Sequence, residues 1–378
     1  MKILYISHLH PPKHAPLKSI GGMQRVSMQL VSELKKNPNV EVKTIIQHAP
    51  WKGIELRTTF FLAKLARKLP RIVEDYKPDV ILFSSMVTAS LAKFTRKKID
   101  VPMVTINHGQ DVKMPVAPYQ KFVPKVFEAL DGVISVSRAT REECIQRGMD
   151  PDKGIALPNG FDIEHLEKSP EKEPSRKALE EAFGIDLSEK KLLLTVGRQV
   201  KRKGHEWFIT EVLPKIKSDV LYLAVGEGPE HDRLIQIWEA SSLKEKMLFV
   251  GKQPDKLLHQ AYSAADVFIM PNIPVEGDME GFGIVLLEAN LAETPAVASD
   301  LEGIKDVVED GMNGYKIPVR DAQKFATQVD EVLSTGYDKL SKKSREYVHT
   351  NFAWYTVAEQ YISYLSKVIK DFKRSTRQ

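Results

Sequence analysis

The sequence predicts a doubly wound α/β protein with two parallel sheets, and three observations carry that prediction. Short apolar runs alternate with helical patterns along the whole chain, as strands and crossover helices do in parallel sheets. The alternation runs once before residue 165 and starts again near residue 191. Between the halves, residues 166–190 are rich in Glu, Lys, Pro and Ser, including Lys168-Ser169-Pro170-Glu171-Lys172-Glu173-Pro174, which suits a linker and an entry helix.

In the first half, residues 2–6 read as a strand and 22–36 as a helix. The loop between them carries Pro11, Pro12, Pro16 and Gly21-Gly22-Met23-Gln24-Arg25. This is not the G-x-G-x-x-G of dinucleotide binders, yet glycines opening a helix offer backbone N–H groups to an anion. A plain flexible turn is the competing reading. His8, His10 and His14 share the region without a cysteine or carboxylate set, so a loop is favoured over a metal centre. Further strands are expected at 41–46, 79–83, 102–106, 132–136 and 154–157.

Between the strands expected at 41–46 and 79–83 lie Lys52, Arg57, Lys64, Arg67, Lys68, Arg71 and Lys77, interleaved with Phe60, Phe61, Leu62, Leu65 and Leu69. The spacing describes an amphipathic helix with a cationic face. Such a face suits an anionic lipid surface and suits plain solvation equally well. His108-Gly109-Gln110-Asp111 follows strand 102–106 at the carboxyl edge, where open α/β sheets bind ligands. Ser137 is placed to cap a helix from Arg138, and Asp150-Pro151-Asp152 reads as turn chemistry. Pro158-Asn159-Gly160-Phe161-Asp162 closes the half.

The second half offers strands near 191–196, 220–225, 247–250, 266–270 and 295–298. Strand 191–196 runs into Gly197-Arg198-Gln199-Val200-Lys201-Arg202-Lys203-Gly204, cations at a carboxyl edge where a phosphate needs them. Gly226-Glu227-Gly228-Pro229 after the next strand reads as a tight turn that admits a ligand. Strand 266–270 leads through Pro271 into Glu276-Gly277-Asp278-Met279-Glu280-Gly281-Phe282-Gly283 and the helical run Ile284 to Ala292. Glu280 and Glu288 lie eight residues apart, one in the loop and one on the helix. Bare N–H groups at that helix start face an anion in this layout, although acids at a helix start also serve as ordinary caps. The chain ends in a helical pattern from Phe352 to Phe372 with Lys373, Arg374 and Arg377 after it.

A chain of 378 residues with 42% hydrophobic and 28% charged residues has the makeup of a two-domain globular protein with a large core. No run approaches the roughly 20 apolar residues of a membrane span. The single cysteine, Cys144, excludes an intrachain disulfide and fits a reducing cytoplasm. A net charge of +5 without a recognisable binding module argues against nucleic acid as a partner.

Taken in order, Gly21-Gly22, His108-Gly109, the Pro158 to Asp162 run, Gly197-Arg198 to Lys203-Gly204, Gly226-Glu227-Gly228-Pro229, Ala265-Asp266, Glu280 to Glu288, Pro295-Ala296-Val297-Ala298 and Gly311-Met312-Asn313-Gly314 resemble one family. It is glycosyltransferase family 4, the retaining GT-B enzymes of the glycogen-synthase-like and bacterial mannosyl- and glucosyltransferase group. The resemblance implies two Rossmann-like domains facing a central cleft. It implies an acceptor domain over 1–165, a nucleotide-sugar domain over 166–350, and a terminal helix over 351–378 that returns to the first domain.

By the same resemblance Glu280 would hold hydroxyls of the donor sugar and Glu288 the ribose. Arg198 and Lys203 would neutralise the departing diphosphate, with the amides around Gly21-Gly22 and Phe282-Gly283-Ile284 completing the cradle. His108 would approach the sugar near its reacting carbon, and Val250 would meet the base through its backbone. The implied substrates are a UDP- or GDP-linked sugar and a glycan or lipid-linked acceptor in surface polysaccharide or glycolipid synthesis, with no cofactor and no catalytic metal. The implied location is cytoplasmic, or peripheral on the inner face of the membrane. Charge leaving on a diphosphate calls for fixed cations and N–H dipoles, each worth about 10²–10³ in rate. A non-catalytic sugar-nucleotide-binding scaffold and a sugar-nucleotide 2-epimerase share the fold. Two departures from the family pattern stand out: a long acidic stretch, Pro271 to Met279, and Glu293-Thr294 where a glycine is usual.

Overall fold

The computed structural model describes residues 1–12, 22–50, 53–163 and 170–375. Gly21, His14, Pro16, Lys52, Lys168, Ser169 and Arg377, all named above, lie outside the described residues. The chain forms two compact units, Met1–Phe161 with Trp354–Gln378, and Asp162–Ala353.

The first unit is built on β1 (Lys2–His10), β2 (Glu41–His48), β3 (Val80–Phe83), β4 (Met103–Asn107), β5 (Gly132–Ser135) and β6 (Gly154–Ala156). These form one sheet in the order β2-β1-β3-β4-β5-β6, every pair parallel. Helices cover both faces of such a sheet, so its strands are buried on both sides and read as unbroken apolar runs. Ile3, Leu4, Tyr5 and Ile6 are fully buried accordingly. Strand β1 outruns its predicted end at residue 6, because pairing with β2 resumes after an irregularity and reaches His10 opposite His48.

The helix Ile54–Tyr76 buries Thr58, Leu65, Leu69 and Val73. Phe60, grouped above with the apolar residues of this helix, is instead 67% exposed, and Leu56 is 65% exposed. Ser137 caps the helix from Arg138 by accepting the Thr140 N–H, and the Asp150 carboxylate accepts the Asp152 N–H as a turn requires. The final helix, Trp354–Ser375, belongs to this unit. Its Tyr364 hydroxyl accepts the Val133 N–H at 3.1 Å and donates to the Lys153 carbonyl at 2.6 Å, pinning the helix to β5 and the turn before β6. Gly160 is obligatory beside it, since a Cβ there would lie 2.3 Å from the Trp354 ring.

The second unit repeats the plan with β7 (Lys191–Val196), β8 (Val220–Val225), β9 (Met247–Phe249), β10 (Val267–Met270), β11 (Ala296–Ser299) and β12 (Gly314–Ile317). Their order is β12-β11-β10-β7-β8-β9, again wholly parallel. The sequence pattern missed β12, because a half-exposed edge strand has no continuous apolar run to betray it. The entry helix, Lys172–Phe183, stops at Gly184, whose φ of 65° is the left-handed cap that glycine supplies without strain. The core of this unit packs Phe208, Tyr222, Phe325 and Val329 against β7, β8 and β10.

Candidate functional site

In the second unit, three neighbouring strands, β10, β7 and β8, release their chains into loops that lock together backbone to backbone. A Cβ on Gly204 would fall 1.9 Å from the Pro271 carbonyl oxygen, one on Gly226 would fall 1.9 Å from that of Gly197, and one on Gly228 would fall 2.2 Å from that of Gln199. Hydrogen bonds close the same seams: Ile273 N–H donates to the Arg202 carbonyl and Gln199 N–H to the Glu227 carbonyl, each at 2.9 Å. Side chains on these loops are therefore carried by a rigid edge and not by independent segments.

The β10 loop delivers Glu280 into this edge with its side chain 12% exposed. One of its oxygens, Oε2, accepts Lys203 Nζ and Arg202 Nη1 at 2.6 Å each, and Asn272 Nδ2 at 3.2 Å. Burial pushes this carboxyl up, but the Lys203 and Arg202 charges and the hydrogen bonds from Lys203 and Asn272 outweigh it and hold the group below the usual carboxylate range. Glu280 is thus a fixed anion. Arg202 also reaches Asp278 through Nε at 3.0 Å. The acidic stretch before Glu280 folds on itself, with Val275 bridging Asp278 around Gly277 at φ 75°.

Just beyond Glu280 the helix Ile284–Leu291 begins at Gly283, φ 94°, with no side-chain cap. Leu286 N–H turns back to the Gly283 carbonyl at 3.0 Å, while the amides of Ile284 and Val285 have no partner within the helix, which is the arrangement an anion uses. Phe282 is buried, and Glu288 sits on this helix with its Oε2 accepting the Tyr262 hydroxyl at 2.6 Å. Arg198 is exposed and among the described residues makes no ion pair. Lys203, by contrast, spends its ammonium on Glu280. Val250 donates its N–H to Ala224 at 3.1 Å, and its carbonyl accepts Gln253 Nε2.

In the first unit, His108 follows β4 and its Nε2 lies 3.0 Å from the Ser84 carbonyl at the end of β3. Asp111 holds the turn: its Oδ1 accepts the His108 N–H at 2.8 Å and its Oδ2 the Met86 N–H at 2.9 Å. His8, at the end of β1, is buried, and burial together with the charge of His108 lowers it to about 4, so it stays neutral. Gly22 opens the helix Gly22–Lys36. His10 does not approach a ligand set: it shares Ser27 Oγ with Tyr5, at 3.0 and 2.7 Å. Among the described residues no three His, Cys, Asp or Glu side chains come together to hold a metal ion.

Sequence reasoning missed Arg202, Asn272, Asp111 and Glu302. Arg202 stood in a run of cations with nothing to mark which one turns inward. Glu302 lies in the loop after β11, and its Oε2 accepts the Glu280 N–H at 2.5 Å. Its φ of 47° is a glycine-like value that its side chain does not announce.

Two family models match the chain: Glycosyltransferase Family 4 over residues 20–165 and Glycosyl transferases group 1 over residues 176–350. The chain is 26% identical over 359 residues to a GDP-mannose-dependent alpha-(1-6)-phosphatidylinositol monomannoside mannosyltransferase of Mycolicibacterium smegmatis, covering 88% of this chain and 89% of that one. It is 24% identical to the N-acetyl-alpha-D-glucosaminyl L-malate synthase of Bacillus anthracis, covering 82% of this chain and 80% of that one. Among solved structures, sucrose-phosphate synthase from Thermosynechococcus elongatus aligns with a TM-score of 0.76 at 20% identity, covering 98% of this chain and all (100%) of that one. Anabaena HepE, crystallised with UDP, aligns with a TM-score of 0.73 at 20% identity, over 97% of this chain and 100% of that one.

Proposed function

We propose, from the premise that the chain belongs to glycosyltransferase family 4 and has its GT-B fold, a specific transfer reaction for this glycosyltransferase. It moves a hexose or N-acetylhexosamine from a UDP- or GDP-linked donor to a glycan or glycolipid acceptor, with retention at the anomeric carbon and without a catalytic metal. The observation that carries this reading is Glu280, an anion fixed by Lys203, Arg202 and Asn272 beside an uncapped helix start that leads to Glu288.

Each residue then has a task. Glu280 accepts hydroxyl hydrogens of the donor sugar through oxygen lone pairs that its cations leave open, since a carboxylate offers about four acceptor directions. Glu288 takes the ribose hydroxyls. The amides at Phe282, Gly283 and Ile284 and the guanidinium of Arg198 stabilise the diphosphate as it gains charge. Lys203 supports the same charge while it orients Glu280. Val250 lines the base. The acceptor oxygen attacks on the leaving group's side, the glycosyl–oxygen bond to phosphate breaks, and the departing phosphate takes the acceptor's proton. A retaining hydrolase would instead use two carboxyl groups about 5 Å apart as nucleophile and acid.

One relative supports the choice of acceptor class. The Mycolicibacterium relative is named for a phosphatidylinositol mannoside, a lipid-linked acceptor, and this favours a glycolipid. No described helix is long and apolar enough to cross a membrane. The first unit exposes Leu56, Phe60 and Phe94, at 65%, 67% and 66%, among the exposed cations Arg57, Lys64, Arg67, Lys93 and Lys97. That combination suits peripheral binding to anionic lipid from the cytoplasmic side. Equal binding to phosphatidylglycerol and phosphatidylcholine vesicles would remove this part of the reading.

A thermal-shift screen with UDP, GDP, ADP and their common sugar conjugates tests the whole. A ligand at 100 times its Kd raises stability by about 2.7 kcal/mol. A shift with one nucleotide class that is lost in Glu288→Ala and Arg198→Ala is the expected result and names the donor class. No shift with any nucleotide would favour a scaffold that has kept the fold and lost the chemistry.

A further inference from the structure

We infer that Glu302 is a positioning residue, whose carboxylate and adjoining peptide fix the main chain of Glu280 so that the Glu280 side chain meets the donor sugar in one orientation. The inference rests on the proposed role of Glu280.

The loop after β11 grips the loop after β10 at a single residue. Glu302 Oε2 accepts the Glu280 N–H at 2.5 Å, and the N–H of Gly303, next in the chain, donates to the Glu280 carbonyl at 3.0 Å. Both main-chain polar groups of Glu280 are therefore consumed by one dipeptide. The fit leaves no slack, because a Cβ on Gly303 would stand 2.1 Å from the Gly281 carbonyl oxygen and 2.8 Å from the Phe282 nitrogen. At the other end of the residue, Lys203, Arg202 and Asn272 fix the carboxylate. Glu280 is thus held from both ends by two separate loops.

Glu302 adopts φ 47°, in the left-handed region that a side chain bearing a Cβ avoids. Glycine would occupy that backbone position without strain, and glycine would supply no acceptor for the Glu280 N–H. Strain of this kind persists where the surrounding contacts over-determine the conformation, and it gathers at functional sites. The geometry therefore assigns the strained glutamate to the orientation of its neighbour and not to the stability of the loop.

The test uses the full chain with UDP-glucose and GDP-mannose as donors, following nucleotide release, and with bare UDP and GDP in calorimetry. Glu302→Gly relaxes the backbone and removes the acceptor, and these changes oppose one another, so the melting temperature is expected within about 4 °C of the wild type. Turnover is expected to fall by about 10²-fold, the usual cost of a misplaced reacting group, while affinity for the bare nucleotide holds. Glu302→Gln keeps an acceptor oxygen and is expected to restore most of the rate. Glu302→Asn, which tolerates the left-handed backbone but is one methylene shorter, serves if the glycine variant does not fold. Unchanged turnover in the Gly or Asn variant overturns the inference, as does a fall in which nucleotide affinity and melting temperature drop together. A wild type that neither releases nor binds any nucleotide overturns the proposed function, and this inference with it.

Discussion

The two units share a sheet plan and differ at the carboxyl edge of that sheet. In the second unit the edge is ionic and closed: Lys203, Arg202, Asp278 and Glu280 neutralise one another while glycines seat the loops against each other's carbonyls. In the first unit the edge is built from neutral imidazoles and hydroxyls, with His8 against Ser85 Oγ at 3.4 Å, His10 on Ser27, and Asp111 as its buried anion. Topology alone does not decide what an edge can bind. The charges and close approaches written into the loops decide it, and these leave an ionic edge in one unit and a largely uncharged one in the other.

The sharpest way to break the comparison is Glu280→Ala, which strands Lys203 in a buried site. Loss of one partner from a buried pair costs about 3–5 kcal/mol, so urea unfolding should show a drop of that size in the second unit together with loss of transfer. A variant as stable as the wild type would mean that the ionic edge is not under tension. Next in size is Gly204→Ala. With φ 67° and a Cβ 1.9 Å from a carbonyl oxygen, it should cost about 2–3 kcal/mol. Gly53→Ala in the first unit has φ 72° but nothing within 4 Å, and should cost only about 1 kcal/mol. Equal costs in denaturant melts would deny that loop contact, rather than backbone angle, sets the difference.

Acid sharpens the contrast further. His8 and His10 in the first unit, and His205 in the second, are each lowered to about 4 by burial first and by a neighbouring positive group second. A histidine whose folded value lies below its ordinary 6.5 binds its proton in the unfolded chain first, so its stabilisation is full above pH 6.5 and declines as pH falls toward 4. By pH 5 the loss should be about 2 kcal/mol per histidine. Glu280 acts in a lower window, since its depressed carboxyl keeps its stabilisation until pH drops below the ordinary carboxylate range. Calorimetric melts at pH 7 and 5 should therefore move downward, with two of the three histidines loading the first unit. A flat profile would contradict the burial of these rings. The smallest stability effect belongs to Arg198→Ala, which should change unfolding by less than about 0.5 kcal/mol because the side chain is exposed and unpaired among the described residues. Its rate of transfer should still fall about 10²–10³-fold if it meets the diphosphate.

The strands buried on both faces were legible because burial forces an unbroken apolar run, as in Ile3 to Ile6 and Val267 to Met270. The edge strand β12 was not, since half its residues face solvent and carry no such mark. Glu280 and Glu288 drew attention because Gly281 and Gly283 lie between them in a loop and helix that follow a strand. Arg202 and Glu302 could not, for opposite reasons. Four cations in six residues do not say which one points inward, and a glutamate holding a left-handed backbone looks in sequence like any other surface acid. Both are fixed by contacts from loops far away in the chain, and a linear pattern holds no record of such contacts.

The return of Trp354–Ser375 to the first unit also sets an order of events during synthesis. The chain leaves the ribosome from its N-terminus, so all of Asp162–Ala353 has emerged before the helix that completes the earlier sheet. The second unit can reach its final packing while β5 of the first still lacks the Tyr364 hydroxyl that accepts its Val133 amide. The first unit therefore finishes after the second has been made, and its closing step is the docking of a helix that arrives from the far end of the other unit.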